Sequence, residues 1–186
     1  MSPPFPVPVD DGGADHLIRG MPMPDIALPA TTGGQVSFAG RPGWAVLFVY
    51  TWTGRPAVAN PPAWDTIPGA HGSTPQAEGF RNLHGAFCEH AAALFGISVQ
   101  TTEWQREFAE RLDLPFPLVS DAALELQRAL RLPTFETGGV TYLKRLTLVL
   151  RDGRIERVFY PVHPPEAHAR EALLWVKERV TRGRRD

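Results

Sequence analysis

Apolar positions divide the chain into short strands and helices with a proline-rich lead-in before them. Trp44-Ala45-Val46-Leu47-Phe48-Val49-Tyr50 is an unbroken apolar run of strand length, the signature of a strand buried on both faces. Gly96-Ile97-Ser98-Val99 and Pro117-Leu118-Val119 read as two further strands. Phe80, Leu83, Phe87, Ala91 and Leu94 recur at helical spacing and predict the buried stripe of a helix that starts near Pro75, with Ser73 or Thr74 as N-cap. Thr102 with Gln105 has capping-box spacing and opens a helix through Leu112. Asp121 is placed to cap a helix over residues 122–130. Pro165 to Val180 forms a last helix that buries Leu173, Leu174 and Val176 or Val180.

Turn residues supply the rest. Thr32-Gly33-Gly34 lies between Asp25–Leu28 and Gln35–Phe38 and predicts a hairpin. Asp152-Gly153 joins Leu146–Leu150 to Ile155–Tyr160 as a second hairpin. Residues 1–24, with Pro3-Pro4-Phe5-Pro6-Val7-Pro8 and Met21-Pro22-Met23-Pro24, form an extended segment laid over the domain or partly disordered. The domain is expected over 25–181, with a basic tail at 182–186. Between the first central strand and its helix runs Thr51–Gly72, rich in Pro, Gly and Ala; a loop of that length inside a compact domain is usually functional or disordered. The element order describes a three-layer α/β fold with a central mixed sheet and an N-terminal hairpin.

At 186 residues the chain is long enough for one sound core. A hydrophobic share of 43%, a charged share of 21% and a net charge of -1 give no electrostatic case for nucleic acid or an anionic membrane. One cysteine excludes an internal disulfide framework and points to the cytoplasm. The N-terminus lacks the basic and apolar regions of a secretory signal.

The segment Gly72-Ser73-Thr74-Pro75-Gln76-Ala77-Glu78-Gly79-Phe80-Arg81-Asn82 resembles the Gly-Cys-Thr-x-x-x-Cys-x-Phe-Arg-Asp stretch of peroxiredoxins of the bacterioferritin-comigratory or Q branch. Leu114-Pro115-Phe116-Pro117-Leu118-Val119-Ser120-Asp121 resembles that branch's Leu-Pro-Phe-Pro-Leu-Leu-Ser-Asp. Lys144-Arg145-Leu146-Thr147 is similar to its Arg-x-Thr strand, and Asp152-Gly153-Arg154-Ile155 to its closing hairpin. The likeness runs from about Met21 to Val180. It implies a thioredoxin-like fold, no cofactor or metal, a hydroperoxide substrate, a thiol reductant and frequent homodimers.

Ser73 stands where the family's peroxide-attacking cysteine would be, and Glu78 where the resolving one would be. A helix N-terminus beside an arginine lowers a thiol's pKa and stabilises developing oxygen charge. A serine hydroxyl is not ionised near neutral pH, so the chain as written is not expected to turn over peroxide by that route. Two accounts remain open: a serine replacing a natural cysteine, or a natural loss of both sulfurs with a new role. In the second, the same helix end would take a small anionic or carbonyl compound.

The catalytic candidates are Ser73, Arg145, Thr74 and Glu78. The pocket candidates are Thr51, Thr53, Arg55, Gly72, Trp64 and His71, with Trp52 and Trp104 as further aromatic walls. The family's Thr three residues before the cysteine is Ala70 here, and Thr51 or Thr53 is a spatial replacement for its hydroxyl. Plainer roles compete: Ser73 as an N-cap, Glu78 as a first-turn carboxylate complementing the helix dipole, Arg55 as a solvated loop residue. His71 is too close to Ser73 in sequence for a nucleophile–base pair and shows no orienting acid. His84 and Cys88, four apart, are expected as inert packing.

Overall fold

The computed structural model describes residues 5–182. Two strands, β1 (Ala27–Pro29) and β2 (Gln35–Ser37), make the first hairpin. The central sheet has the order β5-β4-β3-β8-β9, from β3 (Trp44–Val49), β4 (Ala92–Ser98), β5 (Leu118–Ser120), β8 (Leu146–Arg151) and β9 (Arg154–Phe159). The β3–β4 and β4–β5 pairs are parallel, while β3–β8 and β8–β9 are antiparallel. The helices are α1 (Ser73–Asn82), α2 (His84–Glu89), α3 (Thr102–Arg111), α4 (Glu125–Leu130) and α5 (Pro165–Arg182). A small hairpin of β6 (Thr134–Thr137) and β7 (Val140–Leu143) stands apart from the sheet.

Alternation along β3 explains the three layers. Ala45, Leu47 and Val49 face one core with Leu126 and Leu130 of α4 and Phe38 beside the hairpin. Val46, Phe48 and Tyr50 face the other, where Phe80, Phe87, Phe108 and Val176 bring in α1, α2, α3 and α5. Phe48 and Phe80 stack at 4.4 Å. Every side chain of the central strand is thereby spent on packing, which leaves chemistry to the strand ends.

Several elements differ from the pattern reading. The single long helix breaks into α1 and α2, and Ala91 (φ 53) then turns the chain so that Leu94 lies on β4 instead of on a helix. The N-cap of α1 is Gly72, with no side-chain cap, so Ser73 and Thr74 are both inside the first turn. At α3 the cap is Thr101, whose hydroxyl accepts from the Trp104 amide; Gln105 instead turns into the core to reach Ser98 and the Val119 carbonyl. The helix α4 is shorter than the spacing suggested and its N-cap position is Leu124, while Asp121 accepts from the first-turn amides of Leu126 and Gln127 from outside the helix. Leu174 points to solvent. Cys88 is exposed, 3.5 Å from His84 Nε2, and is not part of the core.

The lead-in crosses the domain in two ways. Residues 20–23 run along β9, with hydrogen bonds Gly20 N to Ile155 O (2.7 Å) and Met23 N to Gly153 O (2.8 Å), and so cover a sheet edge. Ala14, Leu17 and Met23 enter the core. The first four residues, and the tail after Arg182, lie outside the described residues.

Two predictions follow from this packing. A methyl at Gly96 would sit 2.5 Å from Leu118 Cδ2 and 2.8 Å from Phe48 Cζ. Gly96→Ala is expected to cost about 1–3 kcal/mol by overpacking, read as a lower denaturant midpoint at unchanged slope. His168 of α5 is buried, with Nε2 2.8 Å from Thr147 Oγ1 and Nδ1 3.1 Å from Glu171. Burial pushes its imidazole below the ordinary value, against the pull of Glu171 and with the charge of Arg145 adding to the lowering. A depressed histidine stabilises the fold above its unfolded pKa of about 6.5, and that stability is lost as pH falls through the folded value. Replacing His168 with Gln should flatten the acid limb of a stability–pH curve below about 6.5.

Candidate functional site

The site forms where β3 runs out. Tyr50 still pairs with Ile97 through its amide, and Thr51, immediately after, is buried at the head of the long loop. The loop returns at Gly69-Ala70-His71-Gly72 and enters α1. Gly72 has φ 107, and a Cβ there would lie 2.3 Å from Pro165 Cγ, so both the backbone angle and the contact with α5 require glycine. Because Gly72 makes the cap, the Ser73 hydroxyl is left free to point inward.

Ser73 Oγ lies 3.1 Å from Thr51 Oγ1 and 3.3 Å from Arg145 Nη2. Thr51 donates to the Ala70 carbonyl at 2.7 Å, which sets a hydroxyl beside Ser73. Arg145 is in the two-residue link between β7 and β8, not on a strand as the resemblance implied. Its Nη2 also donates to the His71 carbonyl at 3.1 Å and makes longer contacts, 3.5 Å, to the carbonyls of Gly69 and Ala70; Nη1 donates to Gln76 Oε1. All these acceptors are neutral. Burial alone pulls the guanidinium down to about 9, and it remains a cation at neutral pH. A charge removed from water without an opposite charge is expensive, so the site carries unbalanced positive potential.

The other candidates are placed less centrally. Thr74 lines a cavity beside Ser73 with Trp52, Trp64, Thr53, His71 and Gly72. Thr53 is tied to Gln100 through its amide, hydroxyl and carbonyl, and Trp104 Nε1 donates to the same carbonyl at 2.7 Å. Trp52 stands 5.5 Å from Trp64 and 6.1 Å from Trp104, so the three indoles do gather at the loop. Arg55 lies over Trp104 at 4.1 Å and donates to the Glu103 carbonyl, away from Arg145. Glu78 is half-buried on α1 and makes no described hydrogen bond to Ser73 or Arg145; five residues on, it faces elsewhere.

His71 does have an acid, contrary to the sequence reading: its Nε2 is 2.8 Å from Asp65 Oδ1. The ring stacks on Phe5 at 3.6 Å and makes no described bond to Ser73, so a serine–histidine pair does not form. Gln76 was missed. It is fully buried, holds Arg145, and leaves Nε2 without a partner among the described residues. Its spacing of three from Ser73, which puts both on one helix face, is the signal that would have found it.

The geometry matches a known family. The Redoxin family model matches residues 18–173. The chain is 32% identical over 161 residues to the chloroplastic peroxiredoxin Q of Sedum lineare, covering 84% of this chain and 76% of that one. It is 31% identical over 156 residues to a putative peroxiredoxin of Mycobacterium tuberculosis, with 82% and 92% covered. Among solved structures, peroxidoxin BcpB of Mycobacterium tuberculosis superposes with a TM-score of 0.68 at 28% identity, over 88% of this chain and 98% of that one. The bacterioferritin comigratory protein of Xanthomonas campestris, studied for its alkyl peroxide reduction activity, gives 0.66 at 22% identity over 95% and 99%, a likeness of fold. A buried arginine facing the first turn of α1, on a five-stranded mixed sheet with these relatives, makes the chain a member of the peroxiredoxins, in their bacterioferritin-comigratory and Q-like branch.

Proposed function

We propose that this chain is a thiol-peroxidase scaffold whose reacting position is residue 73. The observation that carries the reading is the set Ser73 Oγ, Thr51 Oγ1 and Arg145 Nη2 within 3.4 Å of one another at the start of α1. With cysteine at 73, a thiolate there would attack one peroxide oxygen: an S–O bond forms, the O–O bond breaks, and the alkoxide leaves with a proton as alcohol or water. Arg145 and the first amides of α1 would carry the charge on the departing oxygen. Reduction of the resulting sulfenic acid requires an external thiol, since position 78 is Glu. With serine at 73 this route is closed, because no low-lying anion is present to attack.

A second reading has its own support. Ser73 is neutral, Arg145 has no carboxylate beside it, and Gln76 Nε2 is a buried donor without an acceptor. Those three features suit a small anionic or carbonyl compound at the helix end, bound, or bound and transformed, without redox chemistry. Catalytic use of Thr74 or Glu78 has weaker support than use of Arg145, and a homodimer rests on the family alone. No helix among the described residues is long and apolar enough to cross a membrane. The cytoplasm is the setting proposed from the single cysteine; the plant relatives are chloroplastic proteins.

Peroxide consumption with a supplied thiol reductant separates the readings. The chain as written is expected to be silent and Ser73→Cys active, with Cys88→Ser in both to remove the exposed thiol; silence in both sinks the peroxidase reading. In the same pair, thiolate absorbance should show Cys at position 73 titrating below the ordinary value of about 8.5, and Arg145→Met should return it toward that value.

A further inference from the structure

A second cavity, of about 210 Å³, is lined by Arg145 and Thr51 and by none of the three indoles. Its walls are mainly apolar: Ile67, Pro68, Phe135, Pro161 and Val162, with Pro8 and Val9 of the lead-in as the roof. Its polar groups are Lys144, Arg145, Tyr160, Thr51 and Asp11. The roof is a strap that grips the loop holding Arg145. Gly69 N donates to the Pro6 carbonyl at 3.2 Å, a Cβ at Gly69 would be 3.2 Å from Pro8 Cβ, and Phe5 stacks on His71. The strap precedes residue 18, where the match to the Redoxin model begins.

Asp11 is the clasp. Its carboxylate accepts from Lys144 Nζ, from the Tyr160 hydroxyl at 2.6 Å and from the Gly13 amide at 3.0 Å, and 40% of its side chain is exposed. A cation and a phenol at the mouth of an apolar cavity form a receptor for a carboxylate head group with a hydrocarbon body behind it. The charges agree with this. Two cations, Lys144 and Arg145, line the cavity against the single carboxylate of Asp11. The strap therefore supplies the anion that Lys144 and Tyr160 hold.

We propose that the cavity beneath the strap binds a small monocarboxylate with an apolar body, and that Asp11 occupies the head-group position on Lys144 and Tyr160 in the strapped state. The ligand and the strap then compete for one receptor. The inference does not depend on the chemistry at Ser73.

The test is calorimetric titration of the full chain with hexanoate, with hexanol as the uncharged probe. Asp11→Asn is expected to bind hexanoate at least tenfold more tightly than the unaltered chain, without a matching gain for hexanol. Adding Lys144→Gln to Asp11→Asn should remove that gain. Equal hexanoate affinity with and without Asp11→Asn, an equal gain for hexanol, or no loss on adding Lys144→Gln each overturns the proposal, as does the absence of hexanoate binding to Asp11→Asn. Because Asp11 is exposed and outside the core, thermal melts of the variants should stay close to the parent, and circular dichroism confirms that each titrated sample is folded. None of these readouts involves peroxide.

Discussion

The buried guanidinium of Arg145 is the constraint around which the site is organised. Its partners come from three places in the chain: Thr51 at the end of β3, the carbonyls of residues 69–71, and Ser73 and Gln76 on α1, while the arginine itself comes from the link into β8. A cation out of water must be met by oxygen atoms or it costs several kcal/mol, on the order of what a small domain has to spare. Strand end, returning loop and helix are thus held to one another by the need to solvate a single charge. The sheet fixes where the elements start, and the arginine fixes how they end.

The same charge sets what the chain can do. In a site of this shape a thiolate would balance Arg145, and nucleophile and counter-ion would stabilise each other. Under the proposed reading, serine at this position would keep the shape without the balance. The site holds a buried cation and one amide donor without a partner among the described residues. Thr51, at the head of the long loop, brings a hydroxyl beside position 73.

The sheet was legible because β3 is an uninterrupted apolar run and because Asp152-Gly153 leaves little choice but a hairpin. The α1–α2 break at Leu83 was not, since Phe80, Leu83 and Phe87 keep helical period across it, and the turn after α2 is made by Ala91 with φ 53, for which sequence carries no cue. The β6–β7 hairpin was overlooked although Gly138-Gly139, both at positive φ, stand at its tip as a turn signal. Ser73 and Arg145 could be named from the motif, but not their separation. The grip of Asp11 on Lys144 and Tyr160 joins residues far apart in the chain with no periodicity between them, and only the folded molecule brings them together.

Arg145 takes much of its support from main-chain oxygens at residues 69, 70 and 71. Such a cradle reads the path of the backbone and is indifferent to the side chains along it. The side chain of His71 is therefore not what holds the guanidinium, while Ala70 is confined by its packing against Trp64 and Tyr142. The reactive geometry is in this sense stored in a conformation more than in a motif, and a chain can drift far in its wording here while still building the same cationic end to its first helix.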